Sequence, residues 1–139
     1  MLTYRGAVYP WQCDHIGHMN VMWYVGKFDE ATWCFFSSLG LTSFYFTRMR
    51  RGMAAVDQHV SYLQELHPGD TVSIHTQLLE SSGKSIRFLH EMRKSNEEKI
   101  VARTTLKSVH MDIDRRKSCE FAHTILAGIE SFKSHLPEG

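Results

Sequence analysis

The sequence predicts an α+β domain in which one antiparallel sheet wraps a long central helix. Two observations lead there. Apolar residues recur at helical spacing between Val21 and Leu39, and from Val56 onward the period changes to two over several segments divided by short turns. A chain of 139 residues suits a single domain spanning residues 1–139. It is long enough to bury roughly two-thirds of its unfolded surface.

Each element follows in order. Tyr4 to Tyr9 is a short strand stopped by Pro10, and Trp11 to Asn20 is an irregular polar segment. Val21, Val25, Phe28, Thr32, Phe35 and Leu39 then mark a helix, with Asn20 as N-cap and Gly40 just past its end. Met22, Tyr24, Ala31 and Phe36 widen its apolar surface, so burial on several sides is expected, with Cys34 in the core. A turn is expected near Arg51-Gly52. Beyond it, Val56, Gln58, Val60 and Tyr62 alternate with Asp57, His59 and Ser61. His67-Pro-Gly-Asp70 turns the chain into a strand with Val72, Ile74, Thr76 and Leu78 on one face. Ser82-Gly-Lys84 turns it again, and Ile86, Phe88, His90 and Met92 form the next apolar face. A hairpin loop at Ser95–Glu98, a strand from about Lys99 to Met111 and a turn at Asp112–Arg116 follow. Ile125, Ile129, Phe132 and Leu136 mark an amphipathic C-terminal helix.

Composition excludes several classes. Hydrophobic residues make up 42% and charged residues 22%, a globular balance rather than a disordered one. Sixteen Lys and Arg against fifteen Asp and Glu leave +1, too little for a nucleic-acid arm or a polybasic membrane patch. No apolar run approaches the roughly 18 residues of a membrane span. Cys13, Cys34 and Cys119 are an odd set without a C-x-x-C, and Met1 to Gly6 lacks the features of a signal peptide. The expected location is cytoplasmic, with reduced thiols.

Residues 13–24 carry the chemistry. They set a carboxylate (Asp14), two imidazoles (His15, His18) and an amide (Asn20) just before the helix. The first-turn N–H groups around Val21, Met22 and Trp23 have no intrahelical partners, so with the helix dipole they suit an oxyanion. A carboxylate beside a polarised carbonyl serves as general base or nucleophile. On residue chemistry alone, the commoner reading is a loop whose Asp14 and Asn20 cap a turn and a helix. His15-x-x-His18 offers two ligands where zinc needs three or four, so no metal is expected. Cys13 adjoins Asp14, whose charge makes a poorer thiol nucleophile. His90 reads as a satisfied core histidine, and His67, His75, His123 and His135 as surface positions. Arg48, Arg50, Arg51, Lys84 and Arg87 are candidates for phosphate contacts. Among Trp23, Tyr24, Phe28, Phe35 and Phe36, mostly core, one or two suit the wall of an apolar pocket.

Asp14-His-Ile-Gly17-His18-Met-Asn20, with Tyr24 and Phe28-Asp-Glu30-Ala31 downstream, resembles the D-x-x-G-H-[VM]-N signature of hotdog-fold acyl-CoA thioesterases of the 4-hydroxybenzoyl-CoA thioesterase-like superfamily. The similarity spans about residues 5 to 120 and takes in Val60-Ser-Tyr62, Pro68-Gly-Asp70, Gly83-Lys-Ser85 and Val101-Ala102. His59 to Glu65 together with Lys107 to Asp112 resembles a branch associated with carnitine- or betaine-type acyl-CoA.

The resemblance implies a hotdog fold and hydrolysis of an acyl-CoA thioester to acid and CoA, with no metal or redox cofactor. Asp14 matches the catalytic carboxylate, and helix-start amides near Met22 the oxyanion hole. Gly17, His18, Asn20, Val21, Met22, Trp23 and His59 are the expected substrate-binding residues, with Glu30 and His59 as secondary catalytic suspects. Many relatives carry a second Asp where this chain has Gln12, which weakens a paired-carboxylate mechanism. The expected assembly is a homodimer or homotetramer, because a curved sheet over one helix leaves an open edge. Two rival expectations are a hotdog hydratase or dehydratase, whose usual His-Asp or His-Glu arrangement is not evident, and a non-catalytic acyl-CoA-binding protein, for which Asp14 would be superfluous.

Overall fold

The computed structural model describes residues 1–95 and 97–134. Its sheet is antiparallel throughout, built from β1 (Leu2–Ala7), β2 (Arg51–Tyr62), β3 (Thr71–Ser81), β4 (Ser85–Lys94), β5 (Ile100–Asp112) and the short β6 (Lys117–Ser118). The spatial order is β1-β3-β4-β5-β2, with β6 paired to the end of β5. Three helices complete the chain: α1 (Val21–Ser38), α2 (Ser43–Met49) and α3 (His123–Ser134). This is the predicted hotdog architecture, a sheet curled over one long helix. Among the described residues, no helix is long and apolar enough to cross a membrane.

The alternation read from the sequence places the core. Val72, Ile74 and Leu78 of β3 and Ile86, Phe88 and Met92 of β4 are buried. Successive strand side chains point to opposite faces, so each set lines the concave side toward α1. The helix returns one stripe: Tyr24, Phe28, Ala31, Thr32, Phe35, Phe36 and Leu39 are buried. Asn20 caps its start by accepting from the Met22 N–H at 3.0 Å. Gly40, with φ +95°, ends it in the left-handed region that favours glycine.

Several expectations need correcting. The helix is buried on one face rather than several: Met22 and Trp33 lie beyond that face and are exposed, and Val21 and Val25, although at the spacing of the buried stripe, are exposed near the helix start. Cys34 is likewise exposed and is not core. Arg51-Gly52 begins β2 instead of forming a turn; the reversal lies at Arg50, with φ 53°. The short α2 before it, capped by the Thr42 hydroxyl, has too few residues to show a period. In β2 the register shifts between Ala55 and Asp57, so Val56 does not share a face with Val60 as simple alternation implies. The expected contributions of Leu136 and His135, and Asn96 within the hairpin loop, lie outside the described residues.

One polar seam crosses the core. His90 is fully buried, and its Nε2 lies 2.8 Å from the Thr32 hydroxyl while Nδ1 lies 2.6 Å from that of Thr76. Thr32 donates onward to the Phe28 carbonyl, so it accepts from Nε2–H and leaves Nδ1 bare to accept from Thr76. The ring stacks on Phe28 with planes 5° apart. A neutral imidazole satisfies every partner, and burial pushes the His90 pKa down to about 4. Because the unfolded chain takes up this proton near its ordinary 6.5, the contribution is complete above that pH and is lost as pH falls toward 4. The loss is on the order of 3 kcal/mol. NMR titration of the His90 ring is expected to give a midpoint near pH 4, with no shift change between pH 8 and 6.

Candidate active site

The loop before α1 is built by its own backbone. Cys13 and Met19 form an antiparallel bridge, closed by Asp14 N–H to the His18 carbonyl at 3.0 Å and Gly17 N–H to the Asp14 carbonyl at 3.0 Å. Gly17 has φ +95°, so a side chain there would be strained. Asp14 Oδ1 accepts from the Ile16 N–H at 3.0 Å. The apolar Met19 anchors the loop in the core, and its N–H donates to the Leu66 carbonyl at 2.7 Å.

Within this frame Asp14 and His18 lie together at the surface. Their side chains are 20% and 25% exposed, and His18 Nδ1 is 3.7 Å from Asp14 Oδ2. On the other side, His18 Nε2 is 3.8 Å from Glu65 Oε1. The imidazole therefore stands between two carboxylates, beyond hydrogen-bond length from either. His18, Val21 and Tyr24 share a cavity of about 200 Å³ with Tyr62, Leu63, Gln64 and Glu65 at the end of β2. The Tyr24 hydroxyl donates to the Gln64 carbonyl at 2.9 Å. Burial, with Glu65 and Asp70 nearby, pushes its pKa up to about 12, so it remains a neutral donor. Sequence reasoning did not single out Glu65 as a site residue, although it ends the His59–Glu65 stretch that carries the finer resemblance.

The helix start is more selective than the sequence suggests. The Met22 N–H is held by Asn20 Oδ1 and the Trp23 N–H by the Asn20 carbonyl. Val21 N–H has no acceptor among the described residues, which narrows the free amide from the expected neighbourhood of Met22 to Val21. Trp23 belongs to a different cavity, beside Tyr4, Gln12, Lys27 and Glu30. Glu30 is exposed there and His59 is exposed on β2. Opposite Thr105 in the register, His59 occupies the face that alternates with the core-facing Leu106. The fold thus gathers Asp14, Gly17, His18, Asn20 and Val21, and keeps Glu30 and His59 apart from them.

A larger cavity, of about 380 Å³, opens between α1, α2 and the strands β2 and β5, and is lined by Val25, Phe28, Asp29, Trp33, Phe36 and Phe46 together with residues of those strands. Phe28 and Phe36, expected as core or pocket wall, serve as both. Of the basic candidates, Arg50 is held by Asp114 at 2.6 Å, Arg51 by Asp112 at 3.4 Å and Arg87 by Asp57 at 3.6 Å. Arg48 and Lys84 make no ion pair among the described residues. His110, which the sequence reading passed over, is buried between the Tyr45 hydroxyl and the Cys119 carbonyl. No group of three or more His, Cys, Asp or Glu side chains suited to a metal ion occurs among the described residues.

A family model described as the thioesterase-like superfamily matches residues 8–129, from just after β1 into α3. The chain belongs to the thioesterase-like superfamily. This thioesterase-like protein is 26% identical to a betainyl-CoA thioesterase of Pseudomonas aeruginosa, over 100% of its own length and 91% of that relative. It is 28% identical to an L-carnitine dehydrogenase/betainyl-CoA thioesterase of Ruegeria pomeroyi, covering 86% of this chain but 24% of that longer protein. Its fold matches a Staphylococcus aureus protein solved in complex with CoA, with a TM-score of 0.93 at 19% identity, over 99% of this chain and 87% of the other.

The cap that frees Val21 can be tested by stability. Asn20→Ala is expected to cost about 1 kcal/mol and Asn20→Asp much less, as read from urea-unfolding midpoints.

Proposed function

We propose that this protein is an acyl-CoA thioesterase that hydrolyses its substrate to a carboxylic acid and CoA, with Asp14 as general base or nucleophile. The observation that carries the reading is the loop–helix junction of this member of the thioesterase-like superfamily, where the partly exposed Asp14 lies 3.7 Å from His18 and His18 shares a cavity with Val21, whose amide opens the helix. The names of the two curated relatives support a betainyl-type acyl group.

In the general-base form, Asp14 takes a proton from water as its oxygen attacks the thioester carbon. The carbonyl oxygen becomes an oxyanion, and the Val21 N–H donates to it with the dipole of α1 behind. Collapse breaks the C–S bond, and the CoA thiolate leaves and is protonated. In the nucleophilic form the same carboxylate forms a mixed anhydride that water then opens. Gly17 and Asn20 hold the loop and the cap. His18, between Asp14 and Glu65, orients the carboxylate and contacts substrate. Met22 and Trp23 complete the first turn. His59 reaches substrate only across a subunit contact, given its place on the outer face of β2.

The domain works as a homo-oligomer in this reading. β2 is an edge strand with unpaired backbone groups along one side, and the neighbouring face of α1 exposes Val25 and Trp33. Pairing two copies along β2 satisfies the first and covers the second. Arg48 and Lys84 are the basic residues left available for the CoA phosphates. Location is expected to be cytoplasmic.

The deciding experiment is CoA release followed with a thiol reagent. Asp14→Asn is expected to lower kcat by roughly 10²–10⁴-fold while leaving the unfolding midpoint within error. Unimpaired hydrolysis by the variant would remove Asp14 from the mechanism. Hydration of an enoyl-CoA without CoA release would favour the hydratase reading instead.

A further inference from the structure

The small cavity between the start of α1 and the end of β2 carries a charge and rings that hydrolysis alone does not require. It measures about 200 Å³, and its lining includes His18 and Val21, the neighbour of Asp14 and the bearer of the free amide. Pockets for larger ligands run to roughly 300–1,000 Å³, so a compact head group suits this one better than a long chain. Because Val21 is part of the lining, a group two bonds from a carbonyl held at its amide reaches the same space.

Glu65 is the carboxylate of this cavity, and the backbone on both sides of it is tied to the helix start. The Gln64 carbonyl accepts from the Tyr24 hydroxyl at 2.9 Å, and the Leu66 carbonyl from the Met19 N–H at 2.7 Å. Glu65 meets the imidazoles of His18 and His67, each at 3.8 Å, which carry charge only when protonated. No Lys or Arg lies within 4 Å of it among the described residues, whereas Asp70 is answered by Lys94 at 3.8 Å. The Tyr24 hydroxyl registers this negative field: burial is the main cause of its raised pKa, and the charges of Glu65 and Asp70 add to it.

Two crossed rings line the same cavity. Tyr24 and Tyr62 stand with centroids 5.3 Å apart and planes at 84°. Tyr24 is buried, but Tyr62 is 46% exposed, so its ring is open to a ligand. A quaternary ammonium has no N–H to donate; ring faces and a nearby carboxylate are what attract it. A neutral acyl group gains nothing from Glu65, whose desolvation would count against binding.

We propose that Glu65 and Tyr62, backed by Tyr24, bind the head group of a quaternary-ammonium acyl thioester and select it over a neutral acyl group of the same shape. This assignment rests on the thioesterase reading and adds to it the residues that read the cation. His18 divides the two carboxylates: Asp14, on its Nδ1 side, serves the reacting carbonyl, and Glu65, on its Nε2 side, faces the head group. The covalent step is unchanged.

The test uses two thioesters that differ in one atom. Betainyl-CoA carries a trimethylammonium group, and 3,3-dimethylbutyryl-CoA has carbon in place of the charged nitrogen. The ammonium also activates the thioester by withdrawing electrons, so the ratio of kcat/KM values is divided by the ratio of the hydroxide-driven rates without protein. The normalised ratio for the wild-type protein is expected to favour betainyl-CoA by about 10-fold or more, the scale of a partly desolvated cation–π contact. Glu65 is exposed, so Glu65→Gln keeps the fold, and it should lower that ratio by about 5-fold or more. Tyr62→Leu should do the same, and Tyr62→Phe, which keeps the ring, should not. Asp14→Asn should slow both thioesters and leave the ratio in place. A wild-type ratio near one, or a Glu65→Gln variant that slows both thioesters equally, would overturn the assignment. If neither thioester is hydrolysed, the thioesterase reading falls. Calorimetric binding of the two thioesters then decides the pocket: tighter binding of the cationic one, lost in Glu65→Gln, supports it, and equal affinity overturns it.

Discussion

The stripe Tyr24, Phe28, Ala31, Thr32, Phe35 and Leu39 seats α1 in the curved sheet, and the position of every functional group follows from that seat. Burial of these side chains removes apolar area from water along the length of the helix, at roughly 25 cal/mol per Å². Aliphatic burial alone would tolerate sliding or rotation of the helix. The Thr32–His90–Thr76 chain does not, because a shift by one residue would strand a buried imidazole without partners. The polar seam thus fixes register where the apolar contacts supply affinity.

From this register the two ends of the helix receive separate tasks. At its start, Met19 is pinned to Leu66 and Asn20 occupies the Met22 amide, so Val21 presents the free N–H beside the Asp14 loop. Further along, Val25, Asp29 and Trp33, one per turn, line the cavity that α1 shares with β2 and β5. A helix that buried its whole circumference would have no surface left for a substrate. One-sided burial leaves the edge of the stripe as a cavity wall toward β2 and β5, and the open edge of β2 lies alongside to receive a second copy.

Much of this was legible in the sequence, because β4, and β3 as far as Leu78, alternate regularly and α1 carries both its cap and its terminating glycine. The Asp14–Asn20 loop was legible through its resemblance to a known signature rather than through its chemistry. What was hidden depends on distance in space. The period of α1 shows which residues are apolar but not how many neighbours it has, so Cys34 and Val25 read as core. The bulge at Val56 changes the facing of half a strand without altering its composition. The short α2 supplies Phe46 to a cavity whose other rings come from α1, a neighbourhood that no period in the sequence announces. His110 gave no chemical signal, since Tyr45 is remote in sequence and Cys119 reaches it only across the turn from β5 to β6.

The account stands or falls on the Val21 amide and the loop beside it forming the site of thioester chemistry. Amide-resolved NMR titration with an acyl-CoA ketone analogue, in which a methylene replaces the thioester sulfur, addresses this without turnover. The account predicts the largest shift at Val21, with further shifts at Asp14, His18 and Tyr62–Glu65. An unmoved Val21, with shifts confined to the outer sheet face around His59 and Thr105, would contradict it.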